Sequence, residues 1–308
     1  MGARYLVFGA SGHIGGPLAT ELAALEGESA LRLATSDVAK RTRLLSAYPD
    51  ADVIVADYLD QDALVDALVG ISAVFVVTPD FFDDRHGTEI LLAACAQKGV
   101  RPHIVRVQAE IPGVALDDLA GLLAGPIGRR GHLEARQLIE ASGLPATFLN
   151  IFGYYMDDLL IHFGGDLREH RTLRVPYDRP MCWIDPRDLG AAAARVMAGP
   201  PPGAPRLLHL NNGEDGILFS ELARMLSELS GAPVAYDSDP QRFREQIGPL
   251  LLAMTGNADA AEYLLADWRM EREHAALYKG TPALSELLNR SPTRLSKWIY
   301  HYHHQLLC

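Results

Sequence analysis

The stretch VFGASGHIGG carries glycines at Gly9, Gly12 and Gly15, a spacing that can seat a diphosphate against backbone N–H groups. Gly9 permits a sharp turn, Gly12 lets the backbone approach a pyrophosphate, and Gly15 lets a helix pack close to a strand. Ser11, His13 and Ile14 belong to the same turn. Ser11 lacks the GxSxG spacing of a nucleophile elbow, so it is read as a phosphate-side residue. The pattern is GxxGxxG rather than GxGxxG, and its meaning rests on the elements that hold it.

Those elements alternate. Tyr5 to Phe8 is a short apolar run, followed by the glycine turn, a helical spacing over Pro17 to Leu25 and a second apolar run over Leu31 to Thr35. Strands are expected at Asp52 to Val55, Ala73 to Val77, His103 to Val107 and Ala146 to Ile151, with helices at Gln61 to Leu68, Thr88 to Lys98 and His132 to Ser142. Such alternation predicts an α/β fold, a doubly wound parallel Rossmann sheet with helices on both faces. The rhythm then breaks at FGYYMDD, with a short strand near Thr172 to Val175, a helix at Leu189 to Met197, a run at Leu207 to Leu210 and mostly helical segments to the end. Residues 1–157, with 182–200 returning to them, are expected to form the nucleotide-binding domain. Residues 158–181 and 201–308 form a smaller, mostly helical C-terminal substrate lobe over its carboxyl edge.

A glycine turn that follows a strand and opens a helix is the context a dinucleotide fingerprint needs. The end of the second strand reads the adenosine ribose. There, in ATSDVAKRTR, Ser36 with Arg41 favours NADP(H), while Asp37 leaves NAD(H) open. Asp57 and Tyr58 after the third strand belong beside the adenine, and Thr78 and Pro79 after the fourth beside the ribose and diphosphate.

The net charge of -11 argues against a surface that neutralises nucleic-acid phosphates. No apolar run reaches 18 residues, and the chain enters its first strand without a leader pattern, so a cytoplasmic protein off the membrane is expected. Cys95, Cys182 and Cys308 are few and widely spaced, which suits reduced thiols. No metal-ligand set is visible, and His301, His303 and His304 read as exposed tail residues.

Together GASGHIGG, ADYLD, VFVVTP, ASGLPATFLNIFGYYMDDLL, MCWIDPRDLGAAAARVM and LNRSPTRLSKWIYHY resemble the NmrA-like branch of the atypical short-chain dehydrogenase/reductases. The resemblance covers most of the chain. It implies NAD(P)H binding without flavin or metal, in a branch that includes quinone, triphenylmethane-type and isoflavone-type reductases and also NADP-binding redox sensors. Standard short-chain dehydrogenases protonate the substrate carbonyl from a YxxxK pair; no YxxxK occurs in this chain, and Gln108 stands where their serine is expected. Aligning ASGLP with the branch's pattern places His132 where many members have a lysine, with Glu134 and Arg136 on the next turn. His132 then either assists hydride transfer by a hydrogen bond or proton, or only binds the nicotinamide ribose.

Phe152, at the end of the sixth strand, belongs on the cofactor side. Tyr154 and Tyr155 fall where this fold puts nicotinamide and substrate, and one of them serves as an acid or as a stacking wall. Met181 and Trp183 are expected to line the same cleft. Their apolar character predicts a hydrophobic aromatic substrate, a quinone or polycyclic or conjugated ketone. Asp185 and Asp188 of WIDPRD are read as structural support beneath it. The expectation is an NADPH-dependent reductase, monomeric or homodimeric, in a natural-product pathway; the alternative is a non-enzymatic NADP(H)-sensing regulator.

Overall fold

The computed structural model describes residues 4–79, 81–119 and 128–307. Its first strand, β1 (Tyr5–Phe8), is buried along its whole length, which a strand reaches only inside a sheet covered on both faces. Around it lie β2 (Leu31–Thr35), β3 (Asp52–Val55), β4 (Ala73–Val76), β5 (His103–Gln108) and β6 (Ala146–Ile151), all parallel. A seventh strand, Arg206–Leu210, pairs parallel with β6, and the sheet runs Arg206–Leu210, β6, β5, β4, β1, β2, β3. The predicted doubly wound sheet is therefore present.

Alternation along β1 sorts the two faces. Tyr5 and Val7 pack with Leu18 and Leu22 of α1 (Gly15–Glu26) and with Leu189 and Ala192 of the helix Pro186–Ala198. Leu6 and Phe8 pack on the other side with Leu64 of α3 (Gln61–Ala67), Leu91 of α4 (Asp84–Lys98) and Ile139 of α5 (Gly128–Ser142). The helix Val38–Ala47, α2, has only Leu44 fully buried, which is why its apolar periodicity is faint. Gly190 brings α1 and its partner together, since a Cβ there would stand 2.7 Å from the Leu18 nitrogen.

Arg206–Leu210 belongs to the main sheet rather than to the lobe, and the helix Ala283–Leu288 follows it there, burying Leu284 and Leu288 against the same core. The remaining late helices build a second core around Phe219, Leu222, Phe243, Trp268 and Trp298. Asp185 caps the helix Pro186–Ala198 through the Arg187 N–H at 2.9 Å, and Asp188 accepts from Arg290 and from the Thr293 N–H, each at 2.6 Å. Both carboxylates are structural, as expected. Cys95 and Cys182 are buried and unbridged; Cys308 lies outside the described residues. Among the described residues no helix is long and apolar enough to cross a membrane.

His103 opens β5 and is buried, its Nε2 3.0 Å from Thr147 Oγ1. Burial lowers its pKa to about 4, from an ordinary value near 6.5. Between those values the unfolded chain binds the proton and the folded chain does not. Stability is therefore expected to fall as pH drops from about 6.5 towards 4, by up to about 3 kcal/mol from this group. Urea midpoints measured across that window should show a shallower loss for His103→Gln.

Candidate active site

The glycine turn is built by backbone contacts. Gly9 takes φ +66°, and the Gly12 N–H donates to the Gly9 carbonyl at 2.8 Å. Gly15 lies so close to Gly9 that an added Cβ would stand 2.2 Å from its carbonyl oxygen. Ile14 precedes α1 and offers no side-chain cap; the Gly16 N–H donates to the Gly12 carbonyl at 2.9 Å and Pro17 has no N–H, so the N–H groups offered to an anion are those where the turn enters the helix, up to Gly15. Ser11, Gly12 and His13 beside them are exposed. The donor set suits a dinucleotide diphosphate.

At the end of β2 Ser36 is exposed. Asp37 turns back to cap α2, accepting from the Ala39 and Lys40 N–H groups at 2.7 and 3.3 Å. One carboxylate oxygen, Oδ1, is thereby committed to the helix, while Ser36 faces outward. Arg41 donates from Nε to the Val53 carbonyl at 3.1 Å. Asp57 is exposed, and Tyr58 donates to the Val77 carbonyl at 3.0 Å with its ring 4.4 Å from that of Phe8.

A cavity of about 490 Å3 opens beyond the carboxyl ends of the strands, where ligands of doubly wound sheets bind. His13, Thr78, Pro79, His132, Tyr154 and Tyr155 all line it. His13 reaches Asp157 at 2.8 Å, and its ring meets that of Tyr155 edge-on at 5.1 Å. His132 stands on the second turn of α5 with Nδ1 3.6 Å from Asp84 Oδ2. Asp84 is held by Thr78 Oγ1 at 2.6 Å and by Arg106.

Four expected site residues are elsewhere. The Gln108 amide is fully buried, accepting from Arg106 at 2.9 Å and donating to Glu110 and to the His132 carbonyl, each at 2.9 Å. It fixes the start of α5 instead of facing the cavity. Phe152 stacks on Tyr278 at 4.6 Å within the lobe core. Met181 pairs with Ile217, and Trp183 lies behind Tyr154 with ring centroids 5.9 Å apart. Both are at least 97% buried, so they support the wall from behind. An aromatic or apolar residue near a cleft is as useful to the core as to a ligand, and the sequence carries no mark to separate the two.

The apolar wall that lines the cavity comes from elsewhere in the chain, from Phe81, Phe163, Leu250, Leu251, Leu264 and Trp268. A charged floor was also missed. Arg129 pairs with Asp267 and, at 2.5 Å, with Glu271; Arg179 donates to Glu271 at 2.6 Å and to the Tyr154 hydroxyl at 2.9 Å. The one sequence signal for it is the four-residue spacing of Asp267 and Glu271 on a helix also carrying Trp268. Burial, with Glu271 next in importance, holds the Tyr154 hydroxyl well above the ordinary tyrosine range. Tyr154 therefore keeps its proton and is poorly suited to act as an acid.

An uncapped helix N-terminus, a glycine turn and an apolar cleft at the carboxyl edge define a dinucleotide-binding α/β protein. Residues 9–159 match the NAD(P)H-binding family model, so the first half of the chain is an NAD(P)H-binding domain. No curated protein sequence matches the chain. Its fold is shared with an NADPH-dependent quinone oxidoreductase from Escherichia coli complexed with NADPH, at 22% identity and TM-score 0.77 over 97% of this chain and 99% of that one. A Citrobacter sp. triphenylmethane reductase complexed with NADP(H) aligns at 20% identity and TM-score 0.75, covering 97% and 99%. A nucleoside-diphosphate-sugar epimerase from Staphylococcus aureus aligns at 22% identity and TM-score 0.75, covering 96% and 99%. The resemblance drawn from the motifs holds for the nucleotide-binding domain and for the fold.

Proposed function

We propose that the protein is an NADPH-dependent reductase of flat, apolar, conjugated acceptors such as quinones and aromatic ketones. The observation that carries this reading is the single cavity that joins the glycine turn and Thr78 to a wall of phenylalanine, leucine and tryptophan. Its volume, about 490 Å3, is in the range of small-molecule sites. The shared fold of a quinone oxidoreductase and a triphenylmethane reductase supports the same reading.

Bound NADPH supplies a hydride; the rest falls to the chain. The N–H groups where the glycine turn enters α1, with Ser11, Gly12 and His13, hold the diphosphate, Ser36 and Arg41 the additional phosphate, Asp57 and Tyr58 the adenine side, and Thr78 and Pro79 the ribose side. Tyr155 offers an aromatic face, and the apolar wall excludes water and orients a planar acceptor. His132 lends a hydrogen bond or proton beside it, with Asp84 behind. A conjugated acceptor spreads incoming charge, so a YxxxK pair is dispensable.

Arg41→Ala is expected to weaken NADPH binding about tenfold, the scale of one lost charged phosphate contact, while leaving NADH binding unchanged. Asp37→Ala should cost about 1 kcal/mol of stability through the lost cap and leave the cofactor preference as it was. Titrations with both cofactors check each.

The reading is tested by following NADPH absorbance with a panel of quinones and polycyclic ketones. Turnover to a defined product is expected, with His132→Ala lowering kcat about tenfold, below the hundredfold or more of an essential acid. Tight NADPH binding with no turnover across the panel would end the reductase reading in favour of a redox-sensing regulator, whose mark is unequal affinity for reduced and oxidised cofactor.

A further inference from the structure

The floor of the cavity is built more elaborately than hydride transfer to a flat acceptor requires. Arg179 is 1% exposed, and all its nitrogens are engaged. Nε donates to Glu271 at 2.6 Å, Nη1 to the carbonyls of Pro176 and Tyr177 at 3.1 and 3.3 Å, and Nη2 to Tyr154 at 2.9 Å. Its guanidinium lies 4.9 Å from the centre of the Phe219 ring and 5.0 Å from that of Trp268. Arg129 binds Asp267 and Glu271. Two cations thus face two carboxylates, and the cluster is balanced before any ligand arrives.

Tyr154 is where this cluster meets the cavity. Its hydroxyl oxygen accepts from Arg179, and among the described residues its own proton has no acceptor. A phenol has one proton to donate, and once a ligand fills the cavity and excludes water, leaving that donor unsatisfied costs about 1–3 kcal/mol. A ligand oxygen placed here removes that cost. It must be a neutral one, because an anion would be brought beside Asp267 and Glu271 with both arginines already committed.

Resting on the reductase reading, we propose that Tyr154, held by Arg179 and Glu271, is a specificity-determining anchor that donates a hydrogen bond to a second, neutral oxygen of the acceptor, remote from the carbonyl that is reduced. Substrates are then two-ended: a reducible carbonyl at the cofactor, an apolar ring system along the wall, and a carbonyl or ether oxygen at the floor. Acceptors with a carboxylate at the far end are excluded.

The test compares wild type and Tyr154→Phe with a methoxytetralone, whose ether oxygen lies on the ring away from the reducible carbonyl, and with tetralone itself, which lacks that second oxygen, by steady-state kinetics and by equilibrium binding to the NADP+-loaded protein. The phenylalanine keeps the ring contacts with Trp183 and Phe219, and thermal unfolding checks that the fold is retained. Expected is a three- to tenfold rise, roughly, in KM and Kd for the methoxytetralone, with little change in kcat or in tetralone binding. A fall in kcat at unchanged KM would overturn the proposal, since Tyr154 would then serve the reacting oxygen. Equal weakening of both ligands, or no weakening of either, would overturn it too. If neither ligand is reduced but the binding difference persists, the reductase reading falls and the anchor stands; if neither binds, both fall.

Discussion

Replacing Gly15 by alanine is expected to abolish measurable NADPH binding, a loss of about a hundredfold or more, while the same change at Gly16 leaves affinity within about twofold. The two glycines are neighbours at the start of α1, yet their surroundings differ. A Cβ on Gly15 would meet the Gly9 carbonyl oxygen at 2.2 Å, its carbon at 2.6 Å and the Ala10 nitrogen at 3.0 Å, all backbone atoms. No rotamer change relieves such a clash, so the turn or the helix must move by more than an ångström. Either movement shifts the N–H groups that are to hold the diphosphate. At Gly16 the nearest atom is the Ala10 carbonyl oxygen at 3.6 Å, an ordinary contact. Calorimetric titration with NADPH on both variants checks the contrast, and equal affinities would show that the turn tolerates displacement.

Glu271→Ala is expected to destabilise the fold by about 3–5 kcal/mol, the cost of stripping one partner from a buried ion cluster. Glu271 is 3% exposed and touches both arginines of the floor, Arg129 at 2.5 Å and Arg179 at 2.6 Å. Its removal leaves the Arg179 guanidinium, which lies over the Phe219 and Trp268 rings, without its carboxylate in a nearly water-free place. Burial raises the Glu271 pKa while the two arginines oppose the rise, so Glu271→Gln keeps the shape and should cost less than alanine. Urea unfolding of the three proteins measures the order. A surface control, Glu228→Ala, removes an exposed pair with Arg224 and should stay within about 1 kcal/mol of wild type.

The sheet was legible because each strand is a bounded apolar run. Tyr5–Phe8, Leu31–Thr35, Asp52–Val55 and Ala146–Ile151 begin and end where the pattern places them. The glycine turn was legible because its constraint is local: one backbone must pass another, and only glycine allows it. The cavity was less so. Met181 and Trp183 sit in a motif beside the cleft but point into the lobe core, and an apolar side chain carries no sign of which side of a wall it occupies. Arg129, Arg179 and Glu271 are brought together from 50 to 142 positions apart, separations over which spacing rules say nothing. Asp84 was not legible because the sequence pattern starts this helix at Thr88, whereas it begins at Asp84 and carries that carboxylate to Thr78 and Arg106.

The chain's path has a consequence for how such a protein can change its substrate. It leaves the sheet after β6, returns for the helix Pro186–Ala198 and the strand Arg206–Leu210, leaves again, and comes back once more with Ala283–Leu288. No single cut separates the cofactor-holding half from the half that shapes the cavity, so the lobe cannot be traded whole between relatives by one recombination event. New acceptor ranges must arise by substitutions within the wall and floor, one side chain at a time, on a scaffold that inheritance keeps in one piece.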